Sequence, residues 1–354
     1  MSEIAPGTRA REAGVGIVEV MVTTTIGVLL MLVMFQVYLV AEGQKRTVTS
    51  GSAAQQNGAY GLFLMGQDVA MSGNVLASSA AALSACAIAR PIPVLIGAGA
   101  TDNDPDTVTV FYGGGGSLST PVAFLADASV TGANPAPYQV AGPVAFSPND
   151  TIVAVQGANC TISTINTNGV AVNVTTGVAT ISHTLAATPG NNATATYNAV
   201  SASLVNLGQP DRFGQTQYAI DPTTATLTSQ SLLPTAGPVT AAVAQVVNLK
   251  ALYGLDTDND GTVDTWQPAT GVWSSANLPL QTLATWQQIR AVRIAIVTRS
   301  DSYEKDVVTS GPLGMFCSPA PCAVSMTLSA DQQHYRYKIL ETTVPLRNVS
   351  WNAL

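Results

Sequence analysis

Glu19 is the acid whose position bears most on chemistry. It follows Gly14-Val15-Gly16-Ile17-Val18, and an uncharged stretch runs from Val20 through Val40. A carboxylate within a membrane-length apolar segment costs about 2.5–3.5 kcal/mol on insertion scales, so one that stays there marks a function and seeks a positive partner. A second acidic constellation lies far downstream. Asp256, Asp258, Asp260 and Asp264 form D-x-D-x-D-G-x-x-D around Gly261. Acids at alternating positions repel unless a cation neutralises them. The glycine permits the sharp turn of a calcium loop, in which Thr262 would offer a backbone carbonyl. Gln267 stands where such a loop carries its bidentate glutamate, so a bound Ca²⁺ is expected to be weak. A solvated Asp/Asn/Gly turn between two strands is the competing reading. A third acidic group, Asp102, Asp104 and Asp106, has Pro105 at its turn and reads as a loop.

The cysteines are Cys86, Cys160, Cys317 and Cys322. An even, low count in a chain that reads as exported points to two disulfides, for which three connectivities exist. The turn-like spacer Ser318-Pro319-Ala320-Pro321 makes a local Cys317–Cys322 bridge the natural choice, leaving Cys86 with Cys160. Zinc is the alternative, but there is no CxxC pair, and His183 and His334 have no closely spaced cysteine. Those two histidines also sit in no nucleophile motif. His183 falls in a Thr-rich strand-like segment and His334 in a polar turn, so a structural or surface role is expected and no catalysis.

The elements that hold these residues follow from composition and periodicity. The chain has 354 residues, 14 basic and 21 acidic, with only 10 % charged in total. No cluster of Lys or Arg occurs outside Lys45-Arg46, so nucleic acid is not expected as the main partner. Residues 1–13 are polar, and Gly14 precedes the apolar core instead of following it, the reverse of an ordinary secretory signal. From Val15 to Val40 a helix would extend roughly 39 Å, enough to span a hydrocarbon core of about 30 Å with tilt. Arg9 and Arg11 compete with Lys45 and Arg46, so charge counting leaves the orientation open.

Gly14-Val15-Gly16-Ile17-Val18-Glu19 resembles the class III signal of type IV prepilins. That resemblance implies that a dedicated prepilin peptidase cuts after Gly14 and methylates the new N-terminal Val15. Glu19 then becomes the fifth mature residue, and its implied partner is the terminal amine of a neighbouring subunit, which would register the two chains. Val15 stands where the family usually has phenylalanine, and the leader lacks a clear positive excess. Thr23, Thr24, Thr25 and Gly27 lower helix propensity, in the zone that extends inside filaments of pilin-like helices.

Beyond Gly43 the pattern stays helical to about Val69, with Leu62, Met65 and Val69 on one stripe. Gly51, Gly58, Gly61 and Gly66 allow breaks. From Ala87 to Val247 short Val/Thr/Ile runs alternate with Gly, Asn, Pro and Asp, as in β-structure. Asp106 to Tyr112 is the clearest strand. Gly113 to Gly116 beyond it reads as a hairpin loop, since no Lys-Ser/Thr or helix start follows. The Thr/Asn-rich region from Thr161 to Val205 reads as further strands.

Several segments resemble PilW-type minor pilins in that family's order. They are Asp68-Val69-Ala70-Met71-Ser72-Gly73 followed by Cys86, Leu252 to Gly261, Ile289 to Val297, Tyr335-Arg336-Tyr337, and Val344 to Asn348. The expected fold is α+β, a pilin-like long N-terminal helix packed on a β-rich head. Its expected divisions are a leader at 1–14, a transmembrane or filament-core helix at 15–41, an amphipathic continuation at 42–73 and a globular domain at 74–354. The resemblance implies a minor pilin that primes type IV pilus assembly and sits at or near the tip. Its implied partners are other minor pilins, the major pilin, the inner-membrane assembly platform and a tip adhesin. It would be a single-pass inner-membrane protein with a periplasmic head before assembly, and part of the extracellular pilus afterwards. A minor pseudopilin of type II secretion and a single-span calcium-binding surface adhesin are the alternatives.

Overall fold

The computed structural model describes residue 14 and residues 16–73, 76–90, 92–112, 120–132, 135–142, 146–188, 190–210, 214–233, 236–318 and 320–350. The Gly113–Gly116 loop and Val15 lie outside the described residues. The chain divides into two compact units, Met1–Ser50 and Gly51–Leu354.

Among its described residues the first unit is helical. It holds the N-terminal part of α1 (Ile17–Met71), which is 55 residues long and continuous. The threonines that depress helix propensity are accommodated by bonding back to the preceding turn. Thr23 Oγ1 donates to the Glu19 carbonyl at 2.8 Å, Thr24 Oγ1 to Val20 at 2.9 Å, and Thr25 Oγ1 to Met21 at 2.7 Å. Each hydroxyl is thereby satisfied within an otherwise apolar segment.

The second unit starts with the rest of α1, which also runs unbroken through its glycines. A Cβ at Gly58 would stand 2.6 Å from Leu340 Cδ1 and 2.9 Å from Thr298 Cγ2; one at Gly61 would stand 3.2 Å from Ile296 Cδ1. These two glycines are points of close helix–sheet approach and not breaks. The packing they permit outweighs a propensity penalty of about 1 kcal/mol each. Gly73, at φ +75°, ends the helix run, and its N–H reaches the Phe111 carbonyl. A short α2 (Leu76–Leu83) follows.

The head is built from antiparallel sheets. In chain order the first strands are β1 (Val94–Gly97), β2 (Thr107–Tyr112), β3 (Val122–Ala123), β4 (Ala128–Ser129) and β5 (Tyr138–Ala141). Then come β6 (Thr151–Gln156), β7 (Asn159–Asn173), β8 (Val178–Leu185), β9 (Thr196–Tyr197) and β10 (Ser203–Gly208). β11 (Gly214–Asp221), β12 (Thr226–Leu233), β13 (Thr240–Ala244), β14 (Val246–Leu255) and β15 (Thr265–Pro268) continue the chain. After the one-turn α3 (Leu283–Gln287) come β16 (Ile289–Arg299), β17 (Leu313–Met315), β18 (Val324–Met326), β19 (Tyr337–Pro345) and α4 (Arg347–Ser350).

Three sheets dominate, in the orders β1-β2-β11-β12-β13, β3-β10-β6-β7-β8-β5 and β15-β14-β16-β19. Met65 and Val69 of α1 pack with Val94, Val110, Tyr253 and Ile294 in a core shared by the helix, the first sheet and the third. The Tyr218 hydroxyl of β11 donates to Asp68 at 2.6 Å, tying helix to sheet. Burial pushes the Asp68 carboxyl above its usual range, an effect this hydrogen bond only partly offsets. The third sheet is covered on its other face by Met315, Phe316 and Met326. Cover on both faces explains why β14 and β16 are buried along nearly their whole length, without alternation.

The Thr/Asn-rich middle forms the second sheet, whose own core holds Phe124, Tyr138, Ile181 and Tyr197. Leu83 and Cys86 join it to Phe111 and Leu233 of the first sheet through a third cluster. Both disulfides expected from the spacing are present, Cys86–Cys160 and Cys317–Cys322.

Candidate functional site

Two groups of residues carry the candidate chemistry, one in each unit. In the first, Gly14 is exposed and Glu19 lies in the opening turn of α1. That turn leaves backbone N–H groups without helical partners, and its partial positive charge favours a carboxylate. Among the described residues Glu19 has no ion-pair partner. From Ile17 to Val40 the large apolar side chains are exposed, and α1 is long and apolar enough to cross a membrane. Val15, the implied methylated terminus, lies outside the described residues.

The second group is the loop joining β14 to β15. The carboxylates of Asp256, Asp258 and Asp260 each place an oxygen within 4.8 Å of the others. Asp256 is fully buried, while Asp258 and Asp260 are exposed. The Arg290 Nε, at the start of β16, donates to Asp256 Oδ2 at 2.9 Å, and Gly261 N–H donates to the same oxygen at 2.9 Å. Asp260 N–H donates to Asp256 Oδ1 at 3.1 Å. Burial works to raise the Asp256 pKa, but the Gly261 N–H and the Arg290 guanidinium outweigh it and hold the carboxyl below its usual range.

Asp264 is not among the convergent acids. Its Oδ2 accepts from the N–H and the hydroxyl of Thr257, both at 2.7 Å, and these bonds depress its pKa. Thr262 donates its N–H and hydroxyl to Asp260 Oδ1 at 2.7 and 2.6 Å. Gln267 pairs with Tyr253 in the sheet ladder. The loop thus offers three carboxylates to a hard cation, one of them already facing an arginine. Nothing in the residue types around Asp256 signals that partner, because Arg290 is 34 positions away on another strand.

A second buried ion pair was equally hidden. The Lys250 ammonium donates to Asp106 Oδ1 at 3.0 Å, and Asp106 also accepts from the N–H groups of Gly99 and Ala251. The third acidic group is therefore a set of structural acceptors. Asp104 accepts from Thr101, and Asp102 from the N–H of Ser325 on β18.

The histidines occupy different settings. His334 Nδ1 lies 2.8 Å from the Glu304 carbonyl, and its ring stacks on Tyr303. His183, on β8, is buried, with its ring stacked on Tyr138 at 3.8 Å. Its Nε2 lies 3.2 Å from the Ala136 carbonyl, so Nε2 carries the proton, and Nδ1 is buried without a partner. Charging the ring would bury an unmatched second N–H. Burial accordingly lowers the pKa to about 4, against a partial opposing effect of the Ala136 carbonyl.

The unfolded chain protonates this histidine near pH 6.5, whereas the folded head resists until about pH 4. Stability is therefore lost as pH falls through that window and levels off below it, by about 3 kcal/mol in total. Thermal melting of the wild type and His183→Phe across pH 4–7 checks this. The variant is expected to lose that share of the pH dependence. Parallel curves would contradict it.

Residues 215–348 match the family model described as Type IV Pilus-assembly protein W. The match runs from β11 to α4 and contains the acidic loop, Arg290 and the third sheet. No curated protein and no solved structure matches the chain.

Proposed function

We propose that the chain is a PilW-family type IV pilus protein, acting as a minor pilin which primes pilus assembly and sits at or near the tip of the fibre, a reading that the match over residues 215–348 supports. The supporting observation is a combination within one chain. A region that matches the PilW family model is preceded by a continuous helix whose apolar residues are exposed from Ile17 to Val40 and whose first turn carries a lone acid. Such a helix suits storage in a bilayer before assembly and packing among like helices afterwards. Cleavage after Gly14 frees an amine at Val15, and Glu19 accepts the equivalent amine of a neighbouring subunit. In a low-dielectric bundle that pair fixes the axial stagger, because any other register strands both charges. The partners on this reading are the other minor pilins, the major pilin, the prepilin peptidase, the assembly platform and a tip adhesin.

Deleting the gene tests it: fibres and twitching motility are expected to be lost and enzyme secretion kept. The opposite pattern would identify a type II secretion pseudopilin.

The acidic loop adds an accessory expectation, Ca²⁺ held by Asp256, Asp258, Asp260 and the Thr262 carbonyl. With Arg290 already facing Asp256 and no glutamate at the last position, affinity belongs in the range of about 10⁻⁴–10⁻³ M seen in extracellular modules. Calorimetry on the full chain in detergent should show weak binding heat that Asp258→Ala removes. If neither heat nor a melting shift accompanies calcium, Arg290 and the loop's own hydrogen bonds hold it without a cation.

A further inference from the structure

Most described arginines of the head are engaged. Arg290 meets Asp256, Arg293 meets Glu341, Arg336 meets Glu304, and Arg299 lies 4.3 Å over the Tyr335 ring. Arg90 differs. It helps line a cavity of about 140 Å³ with Ile88, Thr109, Phe111, Gln215 and Pro279. Its Nε is shut off from solvent and meets no acceptor, and Arg90 takes part in no ion pair among the described residues. A guanidinium beside a cavity with no counter-charge among the described residues is an unmatched cation, which calls for a partner.

We propose that this cavity binds a single carboxylate carried on a short apolar stem, with Arg90 as its anchor. The two terminal nitrogens of the guanidinium, unlike Nε, are not shut off from solvent, and together they present paired N–H donors, a fork that fits the two oxygens of a carboxylate. One guanidinium balances one negative charge, whereas a phosphate dianion would be left half neutralised. Around the charged end, Ile88, Phe111 and Pro279 offer walls for methylene groups. Thr109 and Gln215 supply the remaining polar edge. The volume admits a group the size of a glutamate side chain and excludes a drug-sized ligand, which needs at least about 300 Å³. Arg90 follows Cys86 by four residues, so the disulfide to Cys160 holds one side of the cavity in place. The carboxylate can come from an acidic side chain of another protein or from a free small acid. The site itself does not rest on the pilin reading.

The test uses the full chain in detergent, labelled with ¹⁵N-arginine, and follows the Arg90 Nε–Hε resonance. Sodium butyrate and acetyl-glutamyl-amide are the two carboxylate probes, butyramide is the neutral control, and inorganic phosphate is the competing anion. A saturable shift with a carboxylate and none with butyramide is expected. Tighter binding of acetyl-glutamyl-amide assigns the source to a protein side chain, and tighter binding of butyrate to a free acid. Arg90→Lys keeps the charge but loses the fork, and should weaken binding by about tenfold. Gln215→Leu should also weaken it with the melting temperature unchanged, and Arg299→Gln should bind as the wild type does. No movement with either acid, an equal response to butyramide, or equal affinity for inorganic phosphate would overturn the proposal. If Arg90→Lys fails to fold, the wild-type titration with its neutral control still decides.

Discussion

Glu19→Ala is expected to leave the protein inserted and folded but to remove it from the fibre. Nothing in the head depends on Glu19, since residues 51–354 form a compact unit of their own. Insertion itself should improve, because the substitution relieves a desolvation cost of about 2.5–3.5 kcal/mol. Assembly is what suffers. Removing one member of a buried ion pair leaves the other charge stranded and costs about 3–5 kcal/mol. That corresponds to a fall in incorporation of about a hundredfold or more. Immunoblots of sheared fibres against membrane fractions would measure it, with Glu19→Gln as the uncharged isostere. Both variants should accumulate in the membrane. Wild-type incorporation of either would show that Glu19 does not register subunits.

The second large effect concerns the disulfides, which should contribute unequally. Cys86–Cys160 closes a separation of 74 residues, and Cys317–Cys322 one of 5. Loop-closure entropy in the unfolded chain then gives about 4–5 kcal/mol for the first and about 2 kcal/mol for the second. Cys86 is also fully buried, among Leu83, Phe111, Val153 and Leu207, where the first two sheets meet. Melting of Cys86→Ala/Cys160→Ala should fall by roughly 10 °C. Cys317→Ala/Cys322→Ala should fall by clearly less. Equal losses would mean that local packing, and not the length of the closed loop, sets their contribution.

What the sequence revealed depended on how local each signal was. The apolar helix, its lone acid and the Thr107–Tyr112 strand are read from neighbouring residues, and each stands where expected. The disulfide pairing was legible because the Cys317–Cys322 spacer is short, which left Cys86 with Cys160. The glycines of α1 misled, since propensity describes an isolated helix. At Gly58 and Gly61 the missing Cβ admits Leu340, Thr298 and Ile296 from strands more than two hundred residues away. The two buried ion pairs were hidden for the same reason. Lys250 and Asp106 lie 144 positions apart, and only the fold brings them together. At the acidic loop the alternating aspartates showed that a positive charge was needed, but not that Arg290 would meet Asp256. Nor could periodicity show that β14 and β16 are covered on both faces, because a doubly buried strand has no alternation to read.

Whether Val15 becomes the N-terminus decides between a processed pilin and a simple membrane-anchored protein. Intact mass and N-terminal sequencing of the protein purified from membranes settle this directly. A processed minor pilin begins at N-methylated Val15, with residues 1–14 gone. A chain that still begins at residue 1, or one cut after residue 40, would contradict the pilin assignment, because Glu19 would then have no terminal amine to meet.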